Sequence, residues 1–120
     1  MKKVKSSTSI RRVEMELLKA GLEGSIKELQ QTARTAEDAA NSLRVNQGAI
    51  VKTLVFWIQD CKVKKPVISL VAGDRICNVE ELKKEVKYNG TQAKMDAGDV
   101  KKITGFTIGG VSPIGLINPI

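Results

Sequence analysis

A single run of ten residues constrains the fold more than any other part of this 120-residue chain. Ala49 to Ile58 is rich in β-branched and aromatic side chains on both of its alternating faces. A strand that is apolar on both faces must be covered on both, so it is predicted to lie at the centre of a sheet and not at its edge. One position breaks the pattern. Ile50, Lys52, Leu54, Phe56 and Ile58 share a face, and all but Lys52 are apolar. An ammonium buried there without a partner would cost several kcal/mol. Either Lys52 lies near the strand end and its stem lets the head reach solvent, or the face opens at that point into a pocket. In a pocket, Lys52 would present its charge to an anionic or carbonyl ligand. Trp57 faces the opposite way and is read as packing.

The elements around this strand follow from local signals. Residues 1–8 are basic and Ser/Thr-rich and are expected to be a flexible start. Ser9 is placed to cap a helix carrying Ile10, Val13 and Leu17, stopped by Gly21. A short strand is predicted at Ile26–Leu29. Thr35 and Asp38 have capping-box spacing and open an Ala-rich helix, Ala36 to Leu43, able to approach a neighbour closely. Asn46-Gln47-Gly48 reads as a turn. Asp60 to Pro66 reads as a charged turn leading into a second strand, Val67 to Ala72, which pairs with the first as a hairpin. Gly73-Asp74-Arg75 suggests a turn with a surface ion pair. Asn78 and Glu81 open a helix through Val86, whose Glu80, Glu81, Lys83 and Lys84 form a solvated face. A turn at Asn89-Gly90, a short strand at Ala93–Met95 and a helix from Asp96 to about Ile103 follow. Gly105 ends that helix, and Phe106 to Ile108 is predicted as a strand. Strands and helices mix without strict βαβ alternation, which predicts an α+β fold with a mostly antiparallel or mixed sheet.

Composition excludes several chemistries. The chain has no histidine, which removes Ser-His-Asp and Cys-His catalysis and His-based zinc sites. Cys61 and Cys77 form neither a CxxC pair nor a disulfide framework, and are read as reduced, semi-buried thiols. No cofactor is expected. Twenty basic residues against thirteen acidic give a net charge of +7, which favours a polyanionic partner, although Lys2, Lys3 and Lys5 supply part of it. The longest unbroken apolar stretch, Leu54 to Ile58, is far short of the ~20 residues of a membrane span. No membrane partner and a cytoplasmic location are therefore expected.

A second candidate site lies near the end of the chain, at Gly109-Gly110-Val111-Ser112-Pro113. Paired glycines allow positive φ and close ligand approach. Exposed successive N–H groups can bind an anion or a developing oxyanion. The same residues could equally form a plain turn. The loop is neither a P-loop nor a dinucleotide fingerprint.

Taken in order, RTAEDAA at 34–40, IVKTLVF at 50–56, the helix NVEELKKEV at 78–86 and TGFTIGGVSPIG at 104–115 resemble the YbaK/prolyl-tRNA-synthetase-associated domain family, from about Ser9 to Gly115. That family consists of editing deacylases for misacylated tRNA. The resemblance implies a YbaK-like α+β fold over residues 9–120, with a mixed, mostly antiparallel sheet or partial barrel flanked by short helices, an aminoacyl-tRNA acceptor end as partner, and a prolyl-tRNA synthetase as a further candidate. It gives Lys52 and Gly109 the catalytic roles: Lys52 contacts the aminoacyl-tRNA end, and the Gly109 N–H orients the ester carbonyl. Thr35, Gly110, Ser112 and Pro113 are implied in substrate binding. The family mechanism is substrate-assisted, with a ribose hydroxyl helping to activate water, so it needs no histidine. Lys52 is followed by Thr53-Leu54, which resembles the cysteinyl and general branches more than the alanine branch; Cys or Ala on tRNA(Pro) are the leading substrates. Family domains continue beyond the GxxxP loop, so the resemblance also implies a domain lacking its C-terminal strands. The alternatives are a non-catalytic tRNA- or synthetase-binding module with a degenerate editing fold, and an unrelated basic α+β protein.

Overall fold

The computed structural model describes residues 8–22, 24, 26–29, 35–86 and 90–120. Along them run α1 (Thr8–Lys19), α2 (Ala36–Leu43), a 3₁₀ turn (Gln47–Ala49), β1 (Val51–Gln59), β2 (Lys64–Ala72), α3 (Val79–Val86), β3 (Thr91–Lys94) and α4 (Ala97–Thr104). The strands form one open antiparallel sheet in the order β2–β1–β3. This is an α+β fold, and β1 is the central strand that its two apolar faces require.

Each face of β1 carries its own core. Phe56, Ile58 and Val67 pack with Leu54 and with Leu82 of α3. Trp57 points the other way and packs with Met95 and Val100, flanked by Val55, Ala93, Ile103 of α4, and Val111. The Lys64 ammonium lies 4.5 Å above the Trp57 ring and covers it. α3 thus covers one face and α4 the other. Burial of each large apolar side chain contributes about 1.5–3 kcal/mol.

The helix starts follow local chemistry. Thr35 Oγ1 accepts from the Asp38 N–H at 3.0 Å, Asn78 Oδ1 from the Glu81 N–H at 3.1 Å, and Asp96 Oδ1 from the Asp99 N–H at 2.7 Å. Each side chain satisfies one of the amide donors that a helix start leaves without an intrahelical partner. Gly21 and Gly105 follow α1 and α4 with φ of 76° and 81°.

Several boundaries differ from expectation. The hairpin turn is only Asp60–Val63, because Asp60 Oδ1 accepts from the Lys62 and Val63 N–H groups and the Asp60 N–H donates to the Val63 carbonyl. Pro66 is therefore not in the turn but in β2, opposite Trp57; β2 is an edge strand, where a missing N–H is tolerated. Ser9 lies inside α1, not before it, and its hydroxyl donates to the Gly105 carbonyl at 3.3 Å. Residues 26–29 form no strand. Nor do residues 106–108: the Phe106 N–H donates to Thr104 Oγ1, and a turn follows at once. Both cysteines are free, but Cys61 is exposed and only Cys77 is half-buried. Residues 1–7 and Asn89 lie outside the described residues.

Candidate active site

Lys52 is the second residue of β1, paired with Val71. Its stem is half-buried on the Phe56–Ile58 face, and its Nζ donates to the Arg75 carbonyl at 2.6 Å. The strand end lets the ammonium escape the core, as the first of the two readings requires. Among the described residues no carboxylate forms an ion pair with it. An ammonium has three donors, so two remain for a ligand. The Arg75 carbonyl is held in place by the turn after β2, where the Arg75 N–H donates to the Ala72 carbonyl at 2.9 Å. The expected ion pair between Asp74 and Arg75 is not formed, because the two follow one another along that exposed turn.

This turn is fastened to the 3₁₀ segment that follows α2. The Gly73 N–H donates to the Ile50 carbonyl, and Gln47 Nε2 donates to the Gly73 carbonyl at 2.9 Å. A methyl group at Gly73 would stand 2.5 Å from the Gln47 carbonyl and 2.9 Å from the Ala36 side chain. The close approach foreseen for the Ala-rich helix is therefore to this turn. Thr35, which caps α2, thus belongs to the same end of the sheet as Lys52.

The GxxxP loop is mounted differently. Its anchor to the sheet is Val111, in the Trp57 core. Thr107 to Gly110 form a β-turn closed by a 2.9 Å bond from the Gly110 N–H to the Thr107 carbonyl. Gly109 is the third residue of that turn, with φ of 83°, which is the type II geometry. It is exposed, and no atom lies within 4 Å of where its side chain would be. Among the described residues no hydrogen bond engages the Gly109 N–H. Ser112 is half-buried, and its Oγ accepts from the Ile114 N–H at 3.1 Å, so its hydroxyl serves the loop's own shape. Pro113 is exposed beside it. No hydrogen bond joins Lys52 to this loop; the two are carried on opposite faces of β1.

Sequence reasoning missed how the loop is held. The C-terminal carbonyls of α4, normally left without partners, are all occupied. Gly105 N–H takes that of Lys101, Asn118 Nδ2 takes those of Lys102 and Ile103, and Ile117 N–H takes that of Thr104. The Gly105 carbonyl receives Ser9, Arg12 and Lys101. The cations there also complement the negative end of the helix dipole. The acceptors of all these bonds are backbone carbonyls, which leave no mark in a sequence.

The model of the aminoacyl-tRNA editing domain family matches residues 30–120. The chain belongs to that family. A solved structure described as that of a candidate trans-editing enzyme for prolyl-tRNA synthetase superposes on the editing domain with a TM-score of 0.80 and 32% identity, over 97% of this chain and 71% of that one. The proline–tRNA ligase of Caldicellulosiruptor saccharolyticus is 36% identical over 95 residues, which is 76% of this chain and 16% of the ligase. That of Maridesulfovibrio salexigens is 36% identical over 83 residues, 68% of this chain and 13% of the ligase. The editing domain thus spans a small fraction of the ligases it matches. Among its described residues no helix is long and apolar enough to cross a membrane.

Proposed function

We propose that this editing domain, over residues 9–120, is a cytoplasmic deacylase acting in trans on mischarged tRNA, with Cys or Ala on tRNA(Pro) as the leading substrates. The observation that carries the reading is Gly109. The residue is exposed, its N–H is unengaged among the described residues, and its turn requires positive φ. A backbone donor fixed in this way can stabilise the oxyanion that develops when water adds to an ester carbonyl, with little reorganisation. Water oxygen bonds to the carbonyl carbon, the ester C–O bond breaks, and the ribose oxygen leaves with a proton. The free amino acid and the uncharged tRNA are the products. A neighbouring ribose hydroxyl of the substrate assists the attacking water, so the protein supplies position and charge.

Lys52 serves as the cationic contact for the acceptor end, using the two donors that Arg75 leaves. Thr35, Gly110, Ser112 and Pro113 shape the binding surface, Thr35 and Ser112 through the local bonds that set α2 and the loop. The reading requires the acceptor end to reach both Lys52 and the loop, which are carried on opposite faces of β1. The chain's net charge of +7 suits a polyanion.

The test is a deacylation panel of Cys-, Ala- and Pro-charged tRNA(Pro) with wild type and Lys52→Ala. Hydrolysis of a mischarged species, sparing Pro and lost in the variant, supports the reading. Salt-sensitive tRNA binding with no turnover of any species would replace it with a binding module.

A further inference from the structure

We infer that Arg12 is a positioning residue for the Gly109 loop. The inference rests on the reading that the Gly109 N–H serves the ester carbonyl. Arg12 lies in α1, outside the 30–120 segment that matches the family model. Its guanidinium joins two points far away in sequence. Nη2 donates to the Gly105 carbonyl at 2.7 Å and Nε donates to the Gly115 carbonyl at 3.0 Å. The same group lies 5.0 Å from the centroid of the Phe106 ring. Gly105 and Gly115 bracket residues 106–114, which contain the Thr107–Gly110 turn, Ser112 and Pro113. One planar cation therefore ties together the two ends of the loop that displays Gly109.

The two glycines make this approach feasible. A side chain at Gly105 would stand 2.5 Å from Arg12 Nη2, and one at Gly115 would stand 3.1 Å from the Arg12 backbone. At its first end the loop is also held by the Phe106 N–H bond to Thr104 Oγ1 and by Ser9 and Lys101, which share the Gly105 carbonyl with Arg12, but among the described residues no side chain other than Arg12 bonds to both ends. The bonds from Gly110 to Thr107 and from Ile114 to Ser112 lie within it, leaving the Val111 side chain and the buried Phe106 as its packed anchors. The fork of a guanidinium suits two carbonyl acceptors in different directions, whereas a lysine is a point charge on a flexible stem. α1 contributes no buried residue, so the cores on either face of β1 do not depend on it. Losing Arg12 therefore unties the Gly115 end of the loop from the Gly105 end without unfolding the domain.

The experiment compares wild type, Arg12→Ala and Arg12→Lys in two independent readouts. The first is deacylation of whichever mischarged tRNA(Pro) wild type hydrolyses. A displacement on the order of 1 Å lowers turnover about 100-fold. That loss is expected in kcat with KM nearly unchanged, with Arg12→Lys not restoring it. Added guanidinium ion, below denaturing concentration, is expected to restore turnover in Arg12→Ala but not in Lys52→Ala. The second readout is the backbone order parameter of Ile108 to Ser112 by NMR. It is expected to fall from about 0.85 to below about 0.6 in Arg12→Ala while β1 stays rigid. Wild-type kcat in Arg12→Ala overturns the inference, and so does a loop that stays ordered or a loss of order shared equally by β1. If wild type hydrolyses no mischarged tRNA, the editing reading fails, and the order parameters alone then decide whether Arg12 holds the loop.

Discussion

Replacing Gly109 by alanine separates the chemistry of the loop from its stability. Gly109 has φ of 83°, where an L-residue is disfavoured by about 1–2 kcal/mol. No atom lies within 4 Å of the added methyl group, so there is no steric cost to add. The turn can also relieve the strain. Type I and type II turns differ in the orientation of their central peptide, and only type II needs positive φ at the third residue. That central peptide joins Ile108 to Gly109, and its N–H is the proposed oxyanion donor. Alanine therefore favours the flipped turn, which points this N–H away from the substrate. The Thr107–Gly110 hydrogen bond survives in either form. We expect thermal unfolding of Gly109→Ala to fall by at most about 5–10 °C, from the 1–2 kcal/mol limit in a domain of this size. Loss of one oxyanion donor lowers kcat by about 10²–10³-fold. The assay is single-turnover hydrolysis of mischarged tRNA(Pro), with unfolding followed by circular dichroism. A variant with wild-type kcat would refute the role given to this peptide. A variant that lost activity only because it had unfolded would refute the argument that the site is sterically open.

Other outcomes follow from the same structure. Lys52→Met keeps the half-buried stem and removes the ammonium; it should retain wild-type stability within about 1 kcal/mol and lose deacylation, measured by denaturant titration and the same assay. Thr104 is fully buried, with Oγ1 donating to the Val100 carbonyl and accepting from the Phe106 N–H. Thr104→Val leaves that N–H unpaired and should destabilise by about 1–3 kcal/mol in urea unfolding. Gly73→Ala drives a methyl group into the Gln47 carbonyl and Ala36, and should cost about 1–3 kcal/mol while disturbing the carbonyl that receives Lys52. In contrast, Gly98 sits in the first turn of α4 with only an ordinary 3.5 Å contact to Asp96. Gly98→Ala should raise stability by up to about 1 kcal/mol and leave turnover unchanged.

What could be read from the residues was whatever a few neighbours decide among themselves. The two apolar faces of β1 required a central strand. Thr35, Asn78 and Asp96 announced three helix starts, because a cap is a bond to an amide three residues away. Lys52 stood out because its alternation was wrong for a core face, and the ordered family blocks brought Gly109 forward with it. Errors arose where a distant partner intervened. Ser9 looked like a cap until Gly105, 96 residues away, claimed its hydroxyl; residues 106–108 looked like a strand, but the buried Thr104 next door took the Phe106 N–H. Pro66 looked like a turn residue because nothing local shows that β2 is an edge. The acceptor of Lys52 and both acceptors of Arg12 are main-chain carbonyls, 23 to 103 residues away. Every residue carries a carbonyl, so composition and spacing cannot say which one a cation will find. Only the tertiary fold, which brings the turn after β2 to Lys52 and both Gly105 and Gly115 to α1, decided that.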